Sequence, residues 1–432
     1  MIDKIVKRNG STVDFDSEKI KIAIEKAMKE VGEIDTDVSN KATKKVINYI
    51  KRDDKDILTV DDVHILVENS LMDMKLHDIA REYIQYRESH KPDIFKLREK
   101  ILPYEYPEVM TLVDALHDSP WNHRHFNYEA DVAYYRNPNT PQLHKTVYAR
   151  GQLAISQIEV SVKSYWKKVD SLFPKHEFSM LAACFDNSEA IHFNTYKEGL
   201  ERINLVDMFN NLNQYPVLKK RSDSLKQAVN VSSNSRKDIL LKNIMFSSFI
   251  ENVSLMSQFV AISSFDKYLK QYSGMSNGIK ATAIEETSHF LAGVFITNVI
   301  KRENPELWTD DLVEEIIARS KKSLYTEYEL IDWIFDNQDL EFLTRDDLKD
   351  YITKRMQDSL SIIGIETNML TSERYEEISK LFEWFDLRIK AKVSTDFFAN
   401  KDTSYAKGRA FTVQDAFNDK FYEELGELGI HV

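Results

Sequence analysis

The sequence predicts an all-α protein: a four-helix core bundle with extra helices, preceded by a small, mostly helical domain that carries a β-hairpin. Three observations predict it. Glycine and proline are scarce, 11 and 9 in 432 residues, and turn-rich β architectures need both. Hydrophobic residues make up 42% of the chain, enough for a large core. Through most of the second half they recur at helical spacing in segments of 18 residues or more. The length itself calls for more than one domain.

The elements follow in order. Ile5-Val6 and Val13 to Phe15 flank KRNGST, and Asn9-Gly10 is the turn of a hairpin. Asp16 or Ser17 caps a first helix through Ile20, Ile24, Ala27, Met28 and Val31. A second helix fits Asn40 to Lys51. A third begins at the capping-box pattern Thr59-Val60-Asp61-Asp62, and a fourth contains AREYIQYR. The stretch KPDIFKLREKILPYEYPEV, with three prolines, reads as a linker. These signals divide the chain into a domain over 1–92, a linker over 93–118, a helical domain over 119–393 and a tail over 394–432. The long helices of the third part are Leu153–Trp166, His176–Arg202, Ile239–Ser264, Gly278–Lys301, Asp310–Asp336, Thr344–Ile362 and Ser372–Ile389. Between the second and third, SDSLKQAVNVSSNSRKD predicts a less regular crossover. Two antiparallel helix pairs joined by one long crossover make the ferritin-like plan.

Composition excludes several classes. A formal net charge of −12 argues against a nucleic-acid partner, because phosphate neutralisation needs clustered Lys and Arg. The single cysteine, Cys184, rules out an internal disulfide and any chemistry needing a cysteine pair within this chain. It fits a reducing cytoplasm and reads as a small core thiol. The N-terminal MIDKIVKRNG has no apolar signal core. One segment, Ile244 to Phe265, is apolar enough to suggest a membrane span, but it carries Glu251 near its middle. A carboxylate at a bilayer centre is costly, so the expectation is a buried core helix with one functional carboxylate and no membrane partner.

Two E-x-x-H motifs stand on long apolar helices: Glu189 with His192, and Glu286 with His289. Residues three apart share a helix face, so each pair aims a carboxylate and an imidazole at one point. Each motif is preceded by a helix with a lone carboxylate, Glu159 and Glu251. Thirty residues separate Glu159 from Glu189, and thirty-five separate Glu251 from Glu286. Such spacings suit a helix, a turn and an antiparallel helix whose carboxylates meet at mid-bundle. Four carboxylates and two histidines are the donor set of a dinuclear iron or manganese site in a four-helix bundle. The other reading, that Glu159 and Glu251 are buried carboxylates paired with Arg or Lys, lacks a basic residue at helical spacing from Glu251.

WNHRHFNYEADV (121–132), QIEVSVKSYW (157–166), SEAIHFNTY (188–196), FIENVSLMSQF (249–259) and EETSH (285–289) resemble, in order and spacing, the small subunit of class I ribonucleotide reductase. The N-terminal IVKRNGSTVDFDSEKIKIAIEKA resembles the ATP-cone, an allosteric nucleotide domain. The resemblance implies that Glu159, Glu189 and His192 bind one metal or bridge toward a second, and that Glu251, Glu286 and His289 complete the site. It places Tyr196 at the position of a radical tyrosine, four residues or about 6 Å of rise beyond His192. Leu255 and Phe259 would line an apolar pocket around it. Trp121 and Glu285 would belong to an internal electron relay, Tyr405 would hand the radical to the large catalytic subunit, and FTVQDAF (411–417) would dock that subunit. Glu285 also reads as a carboxylate orienting His192. Two features depart from the usual pattern. Glutamate stands at position 159 where many members have aspartate, and branches with glutamate there include ones that use manganese and keep the oxidising equivalent on the metals. Two manganese ions are therefore favoured, with two irons or a mixed pair as alternatives. The chain also continues past Phe417 with NDKFYEELGELGIHV, so a second segment competes for the docking role.

No P-loop motif is present. The candidate phosphate site is Lys7, Arg8, Asn9 and Gly10 with Lys19, since cations and turn amides hold a triphosphate without one. The cone resemblance implies ATP and dATP as effectors. A homodimer that dATP drives into a higher oligomer, unable to dock productively, is the expected mode of control. Two rivals use the same donor set: a ferritin-like oxygenase or desaturase, and a non-enzymatic metal-binding or nucleotide-controlled protein. Neither needs a relay tyrosine in the tail, and only a regulator needs a cone.

Overall fold

The computed structural model describes residues 4–6, 12–52, 58–89, 91–118, 120–162, 165–229 and 235–390. Lys7, Arg8, Asn9, Gly10, Tyr405 and the 411–417 segment lie outside the described residues. The chain divides into two compact units, Met1–Asp93 and Ile94–Val432.

In the first unit β1 (Lys4–Val6) pairs antiparallel with β2 (Thr12–Asp14), Ile5 opposite Val13. A short β3 (Leu58–Thr59) adds to β1 in parallel, with Ile5 opposite Leu58. The hairpin was predicted; β3 was not, because two residues carry no readable alternation. Asp16 caps α1 (Ser17–Glu30) by accepting from the Glu18 amide. Helix α2 (Thr36–Ile50) starts before the predicted Asn40, since Asp35 caps it through the Asp37 amide. Thr59 and Asp62 form the expected capping box on α3 (Val60–Asp73). With α4 (His77–Ser89), these helices bury Ile20, Ile24, Val46, Val67, Leu71 and Tyr83 in a core of their own.

The second unit is helical: α5 (Val109–His117), α6 (Glu129–Arg136), α7 (Gln142–Val162), α8 (Trp166–Leu172), α9 (His176–Arg202), α10 (Val206–Asn210), α11 (Pro216–Val229), α12 (Arg236–Ile244), a π-helix (Met245–Ser254), α13 (Met256–Leu269), α14 (Ser273–Glu303), α15 (Asp310–Ile334), α16 (Arg345–Ile362) and α17 (Ser372–Lys390). Four of these form the core bundle. Helix α7 packs on α9 and α13, and α14 packs on α9, α13 and the π-helix. The apolar stretch from Arg236 to Leu269 is long and apolar enough to cross a membrane by composition, and it is buried in this core. Where α14 crosses the π-helix the backbones nearly touch: a Cβ on Gly293 would lie 2.0 Å from that of Ser247.

Three predicted boundaries are corrected. The stretch 93–118 is not a free linker. Ile94 and Tyr106 are buried, Glu177 on α9 accepts from the Glu105 and Tyr106 amides at 2.9 Å, and Val109–His117 is a helix against the core. The predicted crossover is a regular helix as far as Val229, because Leu218 and Leu225 supply a buried face among its polar residues. The predicted helix ending at Trp166 is described as far as Val162, Tyr165 is a turn, and Trp166 opens a separate α8.

Candidate metal centre

Four helices deliver the six predicted side chains to one place. Glu159 comes from α7, Glu189 and His192 from α9, Glu251 from the π-helix, and Glu286 and His289 from α14. All six are at most 5% exposed. Their donor atoms fall into two groups, each with members within 4.8 Å of one another: Glu189, Glu251, Glu286 and His289, and Glu159, His192 and Glu286. Glu286 belongs to both. Glu189 groups with the donors of the second motif. His289 Nδ1 is 2.9 Å from Glu286 Oε2 and 3.1 Å from Glu189 Oε1. His192 Nδ1 is 3.0 Å from Glu286 Oε1 and 4.0 Å from Glu189 Oε2.

Among the described residues, no Lys or Arg pairs with any of the four carboxylates. Neither oxygen of Glu159 has a hydrogen-bond partner among the described residues. Burial, reinforced by Glu189 and Glu286, pushes Glu159 well above the ordinary carboxylate range. Burial and the same two neighbours do this to Glu251. Burial disfavours charge on His192 and His289, but Glu286 and adjacent carboxylates override it and raise both. Burial also opposes ionisation of Glu286, yet the two imidazoles hold it below its usual value. Crowded buried carboxylates without a balancing cation are costly. The donor set and its orphaned oxygens fit two hard divalent ions.

The surroundings orient the donors. Glu285 accepts from the Trp121 indole at 2.6 Å and from the Ser188 hydroxyl at 2.5 Å, and lies 2.7 Å from His192 Nε2. Holding Nε2 turns Nδ1 into the cluster. The Trp121 and His192 rings are stacked, with centroids 5.8 Å apart. Trp121, Ser188 and Glu285 also line a surface cavity of about 500 Å³, so this chain of contacts runs from the centre to solvent. Trp166 donates to Glu251 Oε1 at 2.9 Å. Neither Trp166 nor Ser188 was singled out from sequence. Ser188 precedes His192 by one helical turn, a signal that was available. Trp166 is 85 residues from its partner, and no local signal could have found it.

Tyr196 is fully buried and stacked 6.3 Å from Phe259. Burial, then Glu159, drive its pKa far up, so the phenol keeps its proton. Leu255 and Phe259 are buried as expected. Cys184 is partly buried, and burial pushes its thiol up to about 11, unlike a reactive cysteine. Lys19 is exposed on α1.

Comparison with known proteins places these features. Residues 98–369 match the family model "Ribonucleotide reductase, small chain", and residues 3–92 match the ATP cone domain. A probable ribonucleoside-diphosphate reductase small subunit of invertebrate iridescent virus 3 is 24% identical over 332 residues, 72% of this chain and 85% of that one. The ribonucleotide reductase R2 subunit from Clostridium botulinum shares the fold with a TM-score of 0.58 at 16% identity, over 66% of this chain and 89% of that chain. A dimanganese(II) protein of Streptococcus sanguinis does so with a TM-score of 0.55 at 13% identity, over 66% and 99% of the two chains. With the family model spanning most of the helical unit and the cone model the N-terminal one, the chain belongs to the ribonucleotide reductase small-chain family and carries an ATP cone.

Proposed function

We propose that Glu159, Glu189, His192, Glu251, Glu286 and His289 hold two transition-metal ions, and that the chain uses them to supply an oxidising equivalent to a large catalytic subunit that reduces ribonucleoside diphosphates. The observation that carries this is the buried set of four carboxylates and two imidazoles with no Lys or Arg among the described residues to balance it. The ions, when bound, supply the one-electron oxidising chemistry. Manganese is favoured by Glu159 and by the dimanganese neighbour of the same fold, with iron or a mixed pair as alternatives.

The protein's own groups do the rest. Glu285 fixes His192 and the Trp121 indole in one hydrogen-bonded line that can carry an electron outward, with Tyr405 in the tail as the next station. Burial around Tyr196, Leu255 and Phe259 excludes water from the neighbourhood of the ions. The cone binds ATP or dATP through Lys7, Arg8, Asn9, Gly10 and Lys19, and dATP converts a dimer into a larger, inactive assembly. The setting is the cytoplasm, where Cys184 stays reduced.

The test is reconstitution with Mn(II) or Fe(II), metal analysis and EPR, then CDP reduction with a ribonucleotide reductase large subunit added. Two metals per chain and activity only with both proteins are expected. A chain that cannot be loaded overturns the reading. Tyr196→Phe locates the equivalent: retained activity is expected if it resides on the metals, and a loss of about a hundredfold or more assigns it to Tyr196.

A further inference from the structure

Glu251 stands on ten residues of π-helix, Met245–Ser254. A π-helix bonds each amide to the fifth residue back, and its return to α-helix skips one carbonyl. A skipped carbonyl inside a core needs another donor. The π-helix ends three residues after Glu251, and there two guanidinium groups reach in from other helices. Arg355 on α16 donates from Nε to the Asn252 carbonyl at 2.7 Å, and its Nη2 donates to Asn252 Oδ1. Arg221 on α11 donates from Nη2 to the Ser254 carbonyl at 2.9 Å.

Arg221 is fully buried. Its Nη1 holds the Ala154 carbonyl of α7 at 2.7 Å, and its Nε meets Glu327 at 2.9 Å. Glu327 in turn accepts from the Ser254 hydroxyl at 2.5 Å. One side chain therefore fastens a carbonyl five residues before Glu159 to one three residues after Glu251. Arg355 is itself set by Asp386 and the Tyr351 hydroxyl, both at 3.2 Å, and Asn252 is held from its other end by Ser359 at 2.6 Å. Apolar residues of equal volume commonly stabilise a core as well as a buried ion pair does. What apolar residues lack is the fork of donors that meets carbonyls on two helices at once.

We propose that Arg355 and Arg221 are positioning residues that hold the wide π-turn and so set the reach of Glu251 into the metal centre. The proposal rests on the six-ligand reading above. It goes beyond that reading by giving two arginines, neither of them a ligand, control over one half of the site.

The test uses the full chain and Mn(II) alone. Wild type is titrated by calorimetry, and its EPR spectrum separates coupled ion pairs from isolated ions. Arg355→Leu, Arg355→Lys and Arg221→Lys follow, with Arg319→Leu as a control, since Arg319 pairs with Glu315 on its own helix. Folding is checked by helical circular dichroism and thermal melting. Arg355→Leu should bind the ion held by Glu251 about 10- to 100-fold more weakly, and an isolated-ion signal should replace the coupled one. Arg355→Lys restores one donor and should recover part of the affinity, while Arg319→Leu should match wild type. If Arg355→Leu does not fold, the two lysine variants carry the test on the same scale. Folded variants that load two ions with wild-type affinity and spectrum overturn the proposal. Uniform weakening of both ions, with the coupled spectrum kept, does the same, because it marks a general loss of stability. Wild type that binds no Mn(II) overturns the ligand reading and this one with it.

Discussion

Glu285 holds the Trp121 indole on one oxygen and faces His192 with the other, while Glu159, His192, Glu251, Glu286 and His289 behind it carry opposed tendencies to ionise. Those tendencies define a pH dependence. In the metal-free protein Glu159, Glu251, His192 and His289 all have raised pKa values, so above the ordinary carboxylate range the folded chain binds more protons than the unfolded one. Stability contributed by these groups then falls as pH rises. Glu286 is lowered, so its contribution is gained on leaving strong acid and is already complete in that window. Bound metal displaces the protons and reverses the trend. The urea midpoint of Mn-loaded protein minus that of chelated protein should therefore widen between pH 5 and 8; a constant difference would show that the site does not titrate in this way. The E-x-x-H pairs were legible at this scale because both members sit on one helix face. Of the groups that orient them, Glu285 was legible as a partner of His192, while Trp166 was not, since it meets Glu251 across 85 residues.

The π-helix shows what a helix-level reading misses. Every residue from Met245 to Ser254 is buried, so no polar face records where the backbone widens, and the apolar run reads as one continuous helix. Helix α11 shows the converse. The Ser- and Asn-rich stretch 222–238 predicts irregular chain, yet as far as Val229 it continues a helix whose Leu218, Arg221 and Leu225 form an inward stripe, and tertiary burial overrides composition. The contact between α14 and the π-helix yields a prediction of its own. Gly293→Ala would drive a methyl to within 2.0 Å of the Ser247 Cβ and 2.1 Å of its Oγ. The two helices must separate, at a cost of about 1–3 kcal/mol, and a thermal melt of chelated protein should show the drop. Since Ser247 lies one turn before Glu251, Mn(II) binding should weaken in the same variant. Gly293→Ala with an unchanged melting temperature would mean the helices are less tightly apposed than the contact implies.

The whole molecule joins two cores with different tasks. The N-terminal one is built from Ile20, Ile24, Val46, Val67 and Leu71, while the larger one surrounds the carboxylates. Prolines and a change of pattern end the first domain at residue 92 in the sequence, whereas the compact units divide after Asp93 and the 94–117 stretch belongs to the large unit. Glu177 and Glu303 anchor it, the latter accepting from the Ile94 amide at 2.8 Å, and those partners lie far along the chain. Separate cores predict separate unfolding, which makes the ligand of each unit visible by calorimetry. Nucleotide present at a hundred times its dissociation constant adds about 2.7 kcal/mol to whatever binds it. In a unit of this size each kcal/mol moves a melting temperature by about 4–8 °C. Scans of the full chain should show a smaller transition that dATP raises by about 10 °C or more, and a larger one that Mn(II) raises and EDTA lowers. If dATP instead moves the larger transition and leaves the smaller one in place, the nucleotide site is not on the N-terminal unit. Light scattering on the same samples separates binding from assembly: dATP should increase the mass, and equal masses with and without it would confine the nucleotide's effect to the cone.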